Sequence, residues 1–252
     1  MPDVINDNGT WVIQPDVDLA SLDLEVIDVT DGSWTLVDNN SGVKNQAFED
    51  GAVKITTNAI SAGSLNQINQ STYDAPRWYK KLKDANGVQM TQDDEFIFIS
   101  RHQAMSSSNP TSDFGLAVGV SLVPTGVGNN GFTGGKQGWM GGNLIQTTAG
   151  SNATFTIQAF GPASLTGTSN LPTSSVMITT IPMFGRNSTV SIVTSPQDGG
   201  GSHRISKITS SGYTGSADLH IQVGLTNRHN DRAAPDNSVL KQKLAFKIIK
   251  IG

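Results

Sequence analysis

Apolar and polar residues alternate along this chain in short runs, and clusters of Asn, Asp and Gly separate one run from the next. Leu22, Leu24 and Val26 alternate with Asp23, Glu25 and Ile27, the pattern of a half-buried strand. Trp34 and Leu36 mark a second strand between Asp31-Gly32 and Asp38-Asn39-Asn40. Val53-Lys54-Ile55-Thr56-Thr57 follows the turn signal Asp50-Gly51. Arg77–Leu82 and Glu95–Ser100 flank Asn86-Gly87 at a distance too long for a two-residue hairpin, so a broader connection is expected.

The middle of the chain is punctuated by glycine. Phe114–Val123 predicts a long central strand with glycines where another backbone approaches. Gly126–Gly142 holds eight glycines together with Phe132, Trp139 and Met140, and predicts a long loop. Strands are predicted again at Ala153–Phe160, Ser175–Ile181, Ser188–Thr194, Arg204–Thr209, Asp218–Thr226 and Leu240–Ile251. No stretch has a helical period beyond a short turn near Gln14–Leu19. Roughly a dozen strands at this spacing predict an all-β, antiparallel, jelly-roll-like sandwich. No fixed repeat points to a propeller or solenoid. The expected organisation is a docking segment over residues 1–20 and a single sandwich domain over 21–252.

Composition narrows the partners. Charged residues make up 15% of the 252, well below an ordinary globular domain, and Gly, Ser, Thr and Asn fill the difference. The net charge of −4 gives no overall basic footprint for nucleic acid. Lys80, Lys81 and Lys83, and Lys241, Lys243, Lys247 and Lys250, are read as solvated strand faces or edge protection. With Cys 0 there is neither a disulfide nor a thiol nucleophile. Residues 1–7 show no basic and apolar leader, and no apolar run is long enough for a membrane helix, so neither a secretory signal nor membrane insertion is expected.

No catalytic site emerges from the motifs. His102, His203, His220 and His229 lack paired ligand spacing, and His220 sits in an alternating strand as an ordinary packed or solvated imidazole. There is no nucleophile elbow, and Gly134-Gly135-Lys136 lacks the spacing of a phosphate loop. Asp93 and Glu95 are the nearest approach to a carboxylate pair on one strand face, but a polar turn before Phe96–Ile99 accounts for them. The polar run from Asn227 to Asn237 has the oxygen ligands calcium takes, without the EF-hand order, and reads as a turn. No metal and no cofactor are therefore expected. The aromatic positions Trp78, Tyr79, Trp139 and Tyr213 are able to stack on sugar rings, of which Trp78 lies in a strand and is read as core. Trp139 in the glycine-rich loop is the better ligand-binding candidate, with Phe132 and Tyr213 beside it.

Asp31-Gly32-Ser33-Trp34-Thr35-Leu36, Pro76–Leu82 with Asp84-Ala85-Asn86-Gly87, and the closing Phe246-Lys247-Ile248-Ile249-Lys250-Ile251 resemble virion proteins of tailed bacteriophages with concanavalin-like sandwiches. The resemblance implies a non-enzymatic structural role in the virion, as a tail appendage, fibre module or capsid decoration. The implied partners are other virion proteins, copies of the same chain and host cell-surface polysaccharide. The metal motifs of legume lectins are not found. A soluble lectin-like adhesin is the alternative, and a polysaccharide-cleaving enzyme a third.

Overall fold

The computed structural model describes residues 4–7, 10–13, 23–38, 41–59, 76–91, 94, 96–105, 114–121, 139–146, 152–159, 165–172, 176–183, 189–196, 205–209, 218–227 and 236–250. These form 17 strands, and every pairing between them is antiparallel. The strands are β1 (Val4–Asp7), β2 (Thr10–Ile13), β3 (Glu25–Val26), β4 (Thr35–Val37), β5 (Val43–Glu49), β6 (Ala52–Thr57), β7 (Arg77–Lys81), β8 (Phe96–Ala104) and β9 (Phe114–Ser121). They continue as β10 (Trp139–Gln146), β11 (Asn152–Ala159), β12 (Leu165–Pro172), β13 (Val176–Met183), β14 (Thr189–Pro196), β15 (Ile205–Thr209), β16 (His220–Asn227) and β17 (Val239–Lys250). One sheet has seven strands in the order β12-β11-β10-β9-β16-β7-β4. The other has eight, in the order β15-β14-β13-β8-β17-β6-β5 with β3 beside β17. The chain is thus an all-β antiparallel sandwich, as expected from its alternation.

Period-two burial identifies the inner faces. Leu116, Val118 and Val120 on β9, Ile221, Val223 and Leu225 on β16, and Trp78 on β7 are buried. Opposite them lie Phe96 and Phe98 on β8, Val53 and Ile55 on β6, and Leu240, Leu244 and Phe246 on β17, also buried. Two polar struts join the layers. The Leu116 N–H donates to Gln242 Oε1 at 3.3 Å, and Trp78 Nε1 donates to Gln46 Oε1 at 2.6 Å. Each satisfies a group that burial would otherwise make costly.

Several elements depart from the sequence reading. Around residue 26 the buried side is the other one: Val26 is 55% exposed, whereas Ile27 and Val29 are buried. Only Glu25 and Val26 pair as a strand, and the Ile27 N–H turns inward to Leu244 O. Trp139–Gly142, expected within the glycine-rich loop, opens strand β10, while residues 126–138 lie outside the described residues. The Asn86-Gly87 signal makes a small turn of its own. Asp84 Oδ1 accepts from the N–H groups of Asn86 and Val88, and Lys83 pairs with Gln89. Within residues 1–20, β1 and β2 pair as a two-stranded sheet across Asn8-Gly9. The turn expected near Gln14–Leu19 lies outside the described residues.

The β5–β6 hairpin closes through Asp50 and Gly51, both left-handed at φ 56 and 71, as a type I′ turn requires. A Cβ on Gly51 would meet nothing within 4 Å, so only backbone strain opposes a side chain there. Gly51→Ala is expected to cost about 1 kcal/mol, read as a lower urea midpoint at constant m-value.

Candidate functional site

Antiparallel register carries residues from distant parts of the chain into rows across the seven-stranded sheet. One row runs Lys81, His220, Ser121, Trp139. The next runs Tyr79, Gln222, Gly119, Gly141, Gln158, Thr166. A third runs Arg77, Gly224, Ala117, Asn143, Thr156, Thr168. The row between the first two, Lys80, Ile221, Val120, Met140, is apolar beyond its lysine. The other three rows consist largely of hydroxyl, amide and small residues, with cations at their β7 end.

Exposure differs along that end. Arg77 and Gln222 are fully buried and His220 is 7% exposed. Tyr79 is half-buried, and its ring meets the His220 imidazole edge-on, with centroids 6.0 Å apart and planes at 77°. Lys81 is exposed and pairs with Asp218 at 3.2 Å. Tyr79 and Lys81 are thus the members of this cluster that a ligand reaches.

Beside them, β4 ends opposite Tyr79 and leaves the β7 edge uncovered from Lys80 onward. A groove of about 560 Å³ opens there, with Glu25, Tyr79, Lys80, Lys81, Asp84 and Phe246 among its walls. Its volume falls in the usual range for a small-ligand site. Lys80 is not the solvated lysine expected from the sequence. Its side chain is only 21% exposed, and its ammonium pairs with Glu25 while lying 4.8 Å from the Trp34 ring centroid and 5.6 Å from that of Phe246. Lys81 and Lys83 are exposed, as expected of an edge. The floor is fixed by ion pairing and cation–π contact, while the rim carries the exposed Lys81 and Lys83.

The sequence-based candidates divide. Trp139 takes its place in the same cross-strand row as His220 and Lys81, although as a strand residue. Phe132 and Tyr213 lie outside the described residues, as do Asp93 and Glu95. Trp78 is core, with no exposed surface. Asp94 is occupied structurally: burial raises its pKa, but hydrogen bonds from Lys250 and from the Thr91 N–H outweigh this and hold the carboxyl below its ordinary value. Of the Asn227–Asn237 run, residues 228–235 lie outside the described residues. At its end, Lys44 pairs with Asp236 at 3.4 Å and donates to Asn237 Oδ1 at 2.9 Å. Among the described residues no three His, Asp or Glu side chains gather as a metal site. Tyr79 is one of the aromatics the sequence offers for sugar stacking, but its grouping with His220 and Gln222 is not legible there, because only register unites them.

No family model and no curated protein matches the chain. Among solved structures it is similar to the CBM2 module of the evolved Dit of Lactobacillus casei BL23 phage J-1, at 13% identity over 89% of this chain and 96% of that one, TM-score 0.44. An alginate lyase mutant in complex with an alginate trisaccharide is similar at 15% identity over 91% and 98%, TM-score 0.48. Peanut lectin with a bound peptide is similar at 10% identity over 86% and 98%, TM-score 0.41. Likenesses at this level assign no function to the chain.

Proposed function

We propose that the chain is a non-enzymatic, glycan-binding sandwich of a tailed-phage virion, with its ligand seated at the β7 rim between Tyr79 and the groove. The observation that carries this reading is the groove at the β7 edge, where half-buried Tyr79 and exposed Lys81 stand at one end of cross-strand rows of hydroxyl, amide and glycine positions. A polyhydroxylated ligand needs this combination: neutral donors and acceptors for its hydroxyls, an aromatic ring for its apolar face, and few bulky side chains in its path. The virion setting rests on the sequence resemblance described above.

Glycan-array screening followed by calorimetry tests it. Tyr79→Ala is expected to weaken the best glycan by roughly two- to tenfold, the worth of one stacking contact, without lowering the thermal midpoint. Trp139→Ala is expected to do the same, since its row ends on the same rim. Absence of any glycan binding, or a variant that binds like the parent, would overturn the assignment.

Polysaccharide cleavage is the second reading, and the Tyr79–His220 contact favours it. A phenol and an imidazole in edge contact at the rim are a pair able to move a proton. Tyr79→Phe separates the two readings, because it keeps the ring and removes the hydroxyl. The binding reading expects unchanged affinity and no new chain ends from incubated polysaccharide. Release of chain ends by the parent but not by Tyr79→Phe would establish the enzyme.

A further inference from the structure

The chain segregates its charge. The first 43 residues contain nine Asp or Glu and no Lys or Arg, while the remainder has 17 cations against 12 acids. Part of the surplus cation lies on the outer face of the eight-stranded sheet. Lys241, Lys243 and Lys247 occupy alternate outer positions of β17, with Lys54 opposite Lys241 on β6 and Arg101 opposite Ala245 on β8. Among the described residues two acids answer the four lysines there: Glu49 pairs with Lys54 at 3.1 Å and Asp50 with Lys241 at 2.6 Å. Lys247 has no ion pair among the described residues, and Lys243 feels only the more distant field of Asp50. A net-cationic face on a chain of net charge −4 implies an anionic occupant.

The acidic part of the chain supplies one. Among the described residues the β1–β2 hairpin bonds to neither large sheet of its own chain, and a lone two-stranded hairpin is marginal in water. Asp3, Asp7, Asp16 and Asp18 lie in or next to it. We propose that the lysine face of β17 and β6 docks the acidic N-terminal segment of a second copy of this chain, head to tail. An acidic end and a basic face on each copy make a heterologous contact, the kind that propagates into rings or filaments. The inference deepens the assembly side of the proposed function and does not depend on where glycan binds.

Sedimentation of the full chain at low and high salt tests it, with two variants that keep every backbone position. K243E/K247E removes the face, and D3N/D7N/D16N/D18N removes the tail charge. The parent is expected to self-associate, and to do so less as salt screens the contact. Each variant alone is expected to associate roughly tenfold more weakly or not at all. Mixed one to one, the two variants restore at most one intact contact per pair: the unchanged tail of the first meets the unchanged face of the second, so dimers form that grow no further. A parent that stays monomeric at every salt concentration, with the hairpin seated on its own sheet, would overturn the proposal, as would undiminished assembly of K243E/K247E. Both variants are expected to keep glycan affinity. Lost assembly with retained binding, or the reverse, shows which of the two readings has failed.

Discussion

Trp78→Ala is expected to lower the unfolding free energy by about 3–5 kcal/mol, the range for emptying a fully buried large aromatic site. Trp78 has no exposed surface, and it sits on β7 between Leu36 of β4 and Val223 of β16. Its indole N–H reaches across the sandwich to Gln46 on β5, so the side chain serves as packing and as a polar strut between sheets. Alanine removes both, and a cavity between two sheets stiffened by their ladders closes only in part. Trp78→Phe separates the contributions. The ring refills most of the space, while Gln46, only half-buried, turns its amide to water. The phenylalanine variant is therefore expected to lose about 1–2 kcal/mol. Urea titration with a constant m-value is the measurement. A loss below about 1 kcal/mol for the alanine variant would mean that Trp78 does not occupy the inter-sheet core.

What the sequence disclosed follows from the same geometry. Val53–Thr57, Arg77–Leu82 and Leu240–Ile251 were legible because alternation against a buried layer is a local signal. β10 was not, since Trp-Met-Gly-Gly-Asn carries three residues depleted in strands, and pairing on both sides by β9 and β11 overrides that preference. β12, with Gly167 and Pro172, is an edge strand, where such residues are tolerated. The N-terminal hairpin carried a strong local signal, Asn8-Gly9 between apolar runs, which was overshadowed by reading the segment as an extension. The rim is a different matter. Tyr79 and His220 are 141 positions apart, and only the β7–β16 register makes them neighbours. Trp139 was singled out for its glycine-rich surroundings, and it reaches the same row for an unrelated reason, the β9–β10 ladder.

Acidification from pH 7 to pH 5 is expected to remove about 2 kcal/mol of stability through His102 alone. His102 lies on the inner face of β8, fully buried, between Leu244 of β17 and Met177 of β13. Its Nε2 is 3.1 Å from the Ser100 hydroxyl, and none of these three neighbours carries a charge. Burial therefore opposes the imidazolium and pushes the pKa from 6.5 down to about 3. The sign follows directly. The unfolded chain takes up a proton near pH 6.5 while the folded chain does not, so protonation favours unfolding. The contribution is intact above pH 6.5 and is lost progressively as the pH falls toward 3. Asp31, Asp50 and Asp94, whose carboxyls are held below 3.8, act in a lower window: their stabilisation fades only as the pH falls below 3.8. The interval from pH 7 to 5 thus isolates the histidines. His102→Gln keeps a hydrogen-bonding group beside Ser100 and removes the titration, so its stability is expected to fall less over this interval, by the same amount of about 2 kcal/mol. Parallel urea titrations at several pH values give the two slopes. Equal slopes for parent and variant, or an imidazole that titrates near 6.5 by NMR in the folded protein, would show that His102 is solvated and that the two sheets do not close over it.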